Sequence, residues 1–188
     1  MMTKGRLVVI SGPSGVGKGT VIRRLLGECE NLRLSVSATT RAPRNEDTEG
    51  VTYFFKTVDE FRSMIDGSEF LEWAVYNGNY YGTPCAAVEE NLNGGLNVIL
   101  EIDVQGALEV MKKRPDAVYI FIAPPDRETL MKRLVGRGTE TEEQIKKRCA
   151  AAAAELEQQD KYDYVVVNDV LDDAVEEIKS IIEGKNVK

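Results

Sequence analysis

The sequence predicts an α/β fold in which a parallel sheet carries an inserted, mixed α/β lobe. Strand and helix patterns alternate at both ends of the chain, which is the order expected of parallel strands joined by right-handed crossovers. Between about residues 35 and 95 the chain is richer in aromatic residues and hairpin signals, which favours a separate lobe. The 188 residues suit one compact domain with a substantial core.

The first strand and the first helix flank a glycine-rich loop. The apolar run 6–10 predicts the strand, and the pattern at 18–26 predicts a helix that stops at Gly27. The loop and the start of the helix comprise Gly12, Pro13, Ser14, Gly15, Val16, Gly17, Lys18, Gly19 and Thr20. The glycines let backbone N–H groups point toward phosphate oxygens, and Lys18 adds a positive charge at a helix N-terminus. This context predicts a nucleoside-triphosphate site in preference to an ordinary tight turn.

The middle of the chain predicts shorter elements. Strand patterns occur at 32–37, 51–55 and 70–76, and the pair Asn77-Gly78 predicts a hairpin turn. A capping box at 57–60 opens a helix that is expected to end near Gly67. Thr83 is expected to cap the next helix, with Pro84 at its first position.

The last third returns to strand–helix alternation. An apolar strand over 97–103 ends in carboxylates, and a helix over 104–113 leads to a buried strand at 117–123. Asp126 is expected to cap a helix that glycines break at 136–138, and a second capping box at 141–144 opens a long helix through Gln159. A strand at 164–167 and an amphipathic helix complete the pattern.

Composition excludes several classes of function. The formal charge of −7 and the isoelectric point near 4.9 argue against nucleic acid as the main partner. No apolar run is long enough to cross a membrane, and no secretory signal is visible. The 3 cysteines form no Cys-x-x-Cys pair, so we expect reduced thiols in a cytoplasmic protein. The absence of histidine excludes histidine-based triads and most zinc sites.

A second anion site is predicted in the inserted lobe. Arg41 and Arg44 lie beyond a predicted strand end, and arginine forks match phosphate oxygens with two parallel hydrogen bonds. Tyr53 and Tyr81 could add phenolic hydroxyls to the same anion. The alternative is a solvated basic turn, which the spacing alone does not exclude.

Glu72 is the most informative carboxylate because it lies within an apolar strand pattern. Guanine presents N1–H and its 2-amino group side by side, and a carboxylate can accept from both. Adenine has an acceptor at N1 and lacks the 2-amino group, so the same carboxylate would be left unpaired. Because neighbouring strand residues alternate faces, an outward-facing Glu72 remains the alternative.

The chain resembles the guanylate kinase family, which transfers a phosphoryl group from ATP to GMP in purine nucleotide metabolism. The resemblance is carried by several segments taken together, at 12–20, 35–44, 70–73, 79–83, 101–106, 136–141 and 166–169. The resemblance implies a P-loop three-layer fold with a parallel five-stranded core sheet, formed by about 1–34, 96–129 and 156–188. It also implies a GMP-binding lobe at about 35–95 and a helical lid at about 130–155.

The resemblance assigns roles residue by residue. The guanine would contact Ser37, Glu72, Thr83 and Asp103, and the GMP phosphate would contact Arg41, Arg44, Tyr53 and Tyr81. ATP would be held by the loop 12–20 together with Arg133, Arg137, Asn168 and Asp169. Catalysis would fall to Lys18, Arg41, Arg137 and Arg148, with Arg148 also near GMP.

The resemblance further implies direct in-line transfer assisted by Mg²⁺, with GMP and dGMP as acceptors. In the usual loop a serine or threonine follows the lysine and holds magnesium, but Gly19 stands there in this chain. Thr20, Asp103 or water are therefore the candidate metal ligands. Two alternatives stay open: a kinase for another nucleoside monophosphate, and a non-catalytic guanylate-kinase-like module that binds proteins. Either a monomer or a homodimer is compatible with the sequence.

Overall fold

The computed structural model describes residues 3–135 and 142–184. Its strands are β1 (Leu7–Ser11), β2 (Leu32–Leu34), β3 (Ala38–Thr39), β4 (Phe54–Phe55), β5 (Phe70–Tyr76), β6 (Asn79–Pro84), β7 (Asn97–Glu101), β8 (Val118–Ala123) and β9 (Tyr164–Val167). Its α-helices are α1 (Lys18–Glu28), α2 (Val58–Asp66), α3 (Cys85–Asn93), α4 (Val104–Lys113), α5 (Arg127–Val135), α6 (Glu142–Leu156) and α7 (Leu171–Ile182). A short 3-10 helix, Gln159–Lys161, precedes β9.

The main sheet has five parallel strands in the order β2-β7-β1-β8-β9. Strand β1 lies at its centre, with Ile10 paired to Glu101 on one side and to Ile120 on the other. The carboxyl ends of parallel strands share one edge of a sheet, so the loop after β1 and the residues after β7 are neighbours. The predicted α/β class with a parallel five-stranded core is confirmed.

Two apolar layers cover the faces of this sheet. Successive residues of β1 alternate between them, since Val8 and Ile10 join one buried cluster and Leu7 and Val9 the other. The first cluster includes residues of α1 and α7, and the second includes residues of α3 and α4. The result is a three-layer arrangement that fixes β1, and the loop after it, from both sides.

The inserted lobe has a second sheet in the order β4-β3-β6-β5. Strand β3 runs parallel to β4 and antiparallel to β6, and β5 and β6 form an antiparallel hairpin. Asn77 and Gly78 both adopt positive φ, 48° and 77°, so the predicted hairpin turn is confirmed. Helix α2 packs against this sheet through Phe61, whose ring stacks on that of Phe70 at 4.4 Å.

Some predicted boundaries were wrong for identifiable reasons. Helix α1 continues past Gly27 to Glu28, whose carboxylate accepts hydrogen bonds from Arg24 and Lys179 and so secures the last turn. Thr83 does not cap α3, because it lies within β6 and its hydroxyl is used elsewhere; Pro84 takes the capping position. Helix α6 ends at Leu156. The predicted glycine break at 136–138 and the first residue of the second capping box fall outside the described ranges.

Candidate active site

The loop after β1 has a backbone conformation that only glycine adopts readily. Gly12 and Gly17 have φ of 144° and 97°. A Cβ built on Gly12 would lie 2.3 Å from the carbonyl oxygen of Ile122, and one on Gly17 would lie 2.6 Å from Nδ2 of Asn168. The loop therefore packs tightly against the ends of β8 and β9, as a preformed anion cradle requires.

Lys18 folds back over this loop. Its ammonium donates to the carbonyl oxygen of Gly12 and, at 3.2 Å, to that of Pro13. Burial lowers the pKa of Lys18, whereas the negative charges of Glu155, Glu101 and Asp103 act in the opposite direction. The single positive charge of the loop is thus held in the cradle by carbonyls and balanced by nearby carboxylates.

Asn168 and Arg133 brace the loop from the adjoining strand and helix. The buried amide of Asn168 donates to the carbonyl oxygen of Val16 at 2.8 Å. The guanidinium of Arg133 donates to the carbonyl oxygens of Val16 and Asn168 at 3.3–3.4 Å. Both side chains therefore set the shape of the loop, and Asp169 lies exposed beside Asn168.

Helix α6 brings Arg148 to the same loop. Its Nη2 donates to the hydroxyl of Ser14 at 3.0 Å, although the two residues are 134 positions apart in sequence. Ala152 of α6 is buried with Leu130 and Leu134 of α5, so the two helices pack together beside the loop. Arg137, the other arginine expected here, lies outside the part of the chain that the structure describes.

A cavity of about 270 Å³ opens between the inserted lobe and the end of β7. Five of the residues predicted to bind a monophosphate nucleotide line it: Ser37, Tyr53, Glu72, Tyr81 and Asp103. Thr83 lines a smaller adjoining cavity that shares Ser37 and Tyr53. The residues predicted for the base therefore converge on one site.

Glu72 points into the molecule and is half-buried. Its Oε1 accepts the hydroxyl of Thr83 at 2.6 Å, and its Oε2 lies 3.4 Å from a Cβ built on Gly106. Asp103 reaches the same glycine, because its Oδ1 accepts the N–H of Gly106 at 2.7 Å and caps α4. Burial raises the pKa of Glu72, and the charge of Asp103 adds to that rise.

Arg41 lies beside the aromatic residues of the cavity. Its guanidinium carbon is 5.4 Å from the ring centre of Tyr53, which contacts Tyr81 edge-on at 6.1 Å. Its Nη2 donates to Asp47 at 2.9 Å, and the same carboxylate oxygen accepts the backbone N–H of Arg44. The hydrogen bond from Arg44 is the main cause that lowers the pKa of Asp47. The Arg44 side chain is exposed.

The guanylate kinase family model matches residues 4–185. The chain belongs to the guanylate kinase family. It is 53% identical over 185 residues to the guanylate kinase of Halalkalibacterium halodurans, covering 98% of this chain and 91% of that protein. It is 50% identical over 189 residues to that of Bacillus subtilis, covering 100% and 93%. The crystal structure of guanylate kinase from Anaplasma phagocytophilum matches with a TM-score of 0.73 at 36% identity, covering 99% of this chain and 88% of that one.

Oxygen ligands of the kind that Mg²⁺ prefers lie around the loop of this guanylate kinase family member. Thr20 lies exposed in the first turn of α1, and Asp103 follows β7. Glu101 contributes a further carboxylate, since its Oε1 is 3.5 Å from a Cβ built on Gly19. No cluster of three or more acidic, cysteine or histidine side chains suited to a metal occurs among the described residues. The donor set therefore fits a magnesium ion held largely through phosphates and water.

Sequence reasoning missed several residues of the site. Asp47 lies in a polar loop with no pattern to single it out, and only the folded lobe shows that it pairs with Arg41. The sequence predicts Glu101 only as part of the strand over 97–103, and Glu155 only as one residue of a long helix. The carboxylate-terminated strand at β7 was the one local signal, and it indicates Glu101 as well as Asp103.

Proposed function

We propose that this enzyme transfers the γ-phosphoryl group of ATP to GMP, giving ADP and GDP, with its two substrates bound at one edge of the main sheet. The observation that carries the proposal is the pairing of Ile10 with Glu101. This pairing sets the loop after β1 beside the residues after β7. The phosphate cradle and the cavity that holds Glu72 and Asp103 are consequently neighbours, which is the arrangement that direct transfer between two nucleotides needs.

On the donor side, the loop N–H groups and Lys18 would hold the ATP phosphates. Arg133 and Asn168 would keep the loop in its binding conformation, with Asp169 near the adenine. Arg148 would approach the transferring group from α6, and Arg137 would assist from the same lid segment, about 130–155. These cations would neutralise charge that spreads over the phosphoryl oxygens during transfer.

On the acceptor side, the lobe at about 35–95 would hold GMP. Glu72 would accept N1–H and the 2-amino group of guanine, supported by the hydroxyls of Thr83 and Ser37 and by Asp103. Arg41, Arg44, Tyr53 and Tyr81 would bind the GMP phosphate. The acceptor is already an anion near neutral pH, so the transfer needs no strong general base. That requirement suits a chain without histidine.

Magnesium would be held through ATP phosphates and water, with Thr20, Glu101 and Asp103 as the oxygen donors of this chain. When bound, the ion would supply positive charge to the phosphate oxygens. The fold would hold the side-chain oxygens of Thr20, Glu101 and Asp103 close to the phosphate loop. The carboxylates there also balance the charge of Lys18.

We propose that the protein is located in the reducing cytoplasm. We also propose that it is a monomer or a homodimer. The thiols of Cys29, Cys85 and Cys149 are all unpaired, in keeping with a reducing environment. Among the described helices, none combines the length and apolarity that a membrane crossing requires.

The test is ADP formation from ATP and Mg²⁺ with GMP, dGMP, AMP, CMP and UMP as acceptors. The Lys18→Met variant, assayed beside the parent, measures the background rate of ADP formation. We expect turnover with GMP and dGMP alone, and its loss in the variant. Equal turnover on AMP would refute the role given to Glu72. Folded protein that binds GMP but turns over no acceptor would favour the binding-module alternative.

A further inference from the structure

A cavity of about 480 Å³ lies outside the candidate active site and is larger than the cavity that holds Glu72. It opens where the inserted lobe meets the main sheet and its helices. Phe70, in its wall, belongs to the buried cluster of the lobe, and the next residue, Leu71, belongs to a cluster of the main sheet. Small-molecule sites have volumes of about 300–1,000 Å³, so this cavity has the size of a ligand site.

Part of the cavity wall is apolar and open to solvent. Ile65 of α2 and three residues of β5, Phe70, Leu71 and Trp73, form this part. Trp73 is 45% exposed, so much of its aromatic surface is left without a partner. An apolar group placed in the cavity would cover that surface, which is favourable because it removes apolar area from water.

The polar part of the cavity wall presents one positive charge that no carboxylate balances. Lys113, the last residue of α4, donates to the carbonyl oxygen of Phe70 at 3.0 Å and forms no ion pair among the residues that the structure describes. Arg114 and Glu89 also line the cavity, but Arg114 is paired with Glu89 at 2.6 Å and with Asp116 at 2.9 Å. An ammonium has three donors, so Lys113 can still bind an anion.

We propose that this cavity is a second ligand site, which takes a small organic acid with an apolar body and a single negative charge. The apolar body would lie against Phe70 and Trp73, and the acidic group would accept a hydrogen bond from Lys113. A nucleotide would suit the cavity poorly, because its several negative charges would meet one unbalanced cation and the carboxylate of Glu89.

A ligand in this cavity should weaken the binding of GMP through β5. Neighbouring strand residues alternate faces, so Leu71 and Trp73 line this cavity while Glu72, between them, lines the cavity proposed for GMP. Burial raises the pKa of Glu72, and the charge of Lys113 acts in the opposite direction. An anion that neutralises Lys113 would therefore make the charged form of Glu72 less stable. This coupling rests on the proposed function, because it takes Glu72 to bind guanine, whereas the ligand site itself does not.

The test uses adamantane-1-carboxylate, which joins a rigid apolar body to one carboxylate, and its uncharged amide as the matched ligand. Trp73 is the only tryptophan of the chain, so its fluorescence reports binding in this cavity. In the absence of nucleotide we expect saturable binding of the acid, and binding about tenfold weaker for the amide and for the acid with Lys113→Met. Lys112→Met removes an exposed ammonium that pairs with Glu109 and is the matched control, which should bind as the parent does.

The coupling is measured by calorimetry with GMP. Saturating acid should weaken GMP binding by about fivefold, and saturating GMP should weaken the acid by the same factor, because coupling between two sites is reciprocal. Lys113→Met should remove this effect, and Lys112→Met should keep it.

Absence of acid binding by the parent, or equal binding of acid and amide, would overturn the site. Equal binding by the parent and Lys113→Met would overturn it as well. Complete displacement of the acid by GMP would also do so, because it would place the acid in the GMP cavity. An unchanged affinity for GMP in saturating acid would overturn the coupling. Failure of the proposed function has a different signature, since the parent would then bind no GMP while the titration with acid alone still decides the site.

Discussion

Replacing Glu72 by glutamine should weaken the recognition of guanine while leaving the packing of the site unchanged. Oε1 of Glu72 accepts the hydroxyl of Thr83 at 2.6 Å, and a glutamine oxygen can keep that bond. The amide nitrogen then takes the position of the second oxygen, next to Gly106 and the cavity. Because nitrogen is a donor, it faces the N–H donors of guanine instead of accepting from them.

The variant should bind GMP more weakly, because it loses a hydrogen bond between guanine and a charged carboxylate. Hydrogen bonds to charged groups contribute about 1.5–3 kcal/mol. With about 1.4 kcal/mol for each factor of ten, KM for GMP should rise about tenfold to hundredfold. The assay is steady-state ADP formation with GMP or AMP as the varied acceptor. Glu109→Gln, an exposed position on α4, is the control and should behave as the parent. An unchanged KM and an unchanged preference for GMP over AMP would refute the recognition role.

The same substitution should stabilise the folded chain at neutral pH. Burial raises the pKa of Glu72 in the folded state above its ordinary value of 4.5. At a pH between the ordinary pKa and the raised pKa, the folded state therefore binds more protons than the unfolded state. The free energy of unfolding of the parent therefore falls as pH rises through that window. The glutamine variant lacks this loss, so its advantage should grow as the pH rises above about 4.5 and vanish below that pH. Urea denaturation at several pH values measures it, and the opposite slope would contradict the assignment.

Two further predictions concern the acceptor clamp and a buried hydroxyl. Asp47→Asn keeps an oxygen for the guanidinium of Arg41 but removes the negative charge beside the GMP phosphate site, so KM for GMP should fall by about threefold. The effect should shrink in high salt, and a KM that rises instead would mean that the charge of Asp47 is needed to orient Arg41. The buried hydroxyl of Tyr162 has no hydrogen-bond partner within the described ranges, whereas that of Tyr119 donates to a backbone carbonyl at 2.7 Å. Tyr162→Phe should leave the free energy of unfolding unchanged or raise it, and Tyr119→Phe should lower it by about 1 kcal/mol; equal losses in urea denaturation would contradict this contrast.

The sequence predicted the parts of this fold that depend on neighbouring residues. The glycine loop, the strand before it and the helix after it are encoded within about twenty positions, and all three are present. The capping box of α2 and the Asn77-Gly78 turn are equally local, and both are confirmed. At one boundary a distant contact contributes: Glu28, the last residue of α1, accepts a hydrogen bond from Lys179, 151 positions away, as well as from Arg24 one turn earlier.

The candidate site was predictable in its residue types but not in all of its contacts. The orientation of Glu72 depends on an irregularity in the pairing of β5 with β6 between Phe70 and Trp73, which strand alternation does not reveal. The pairing of Arg41 with Asp47 joins two charges that no motif connects. The contact forms when the polar loop of the inserted lobe folds back on the end of β3.

The bond between the Asn168 side chain and the carbonyl of Val16 spans 152 positions of sequence. A nascent chain leaves the ribosome from its N-terminus, so the glycine loop emerges long before the asparagine that braces it. Because Asn168 directly follows β9, which pairs with β8, we expect the loop to reach its final shape only after this strand has docked. We therefore expect nucleotide binding to require β9 as well as the loop, because a chain that lacks this strand has the loop sequence without its brace.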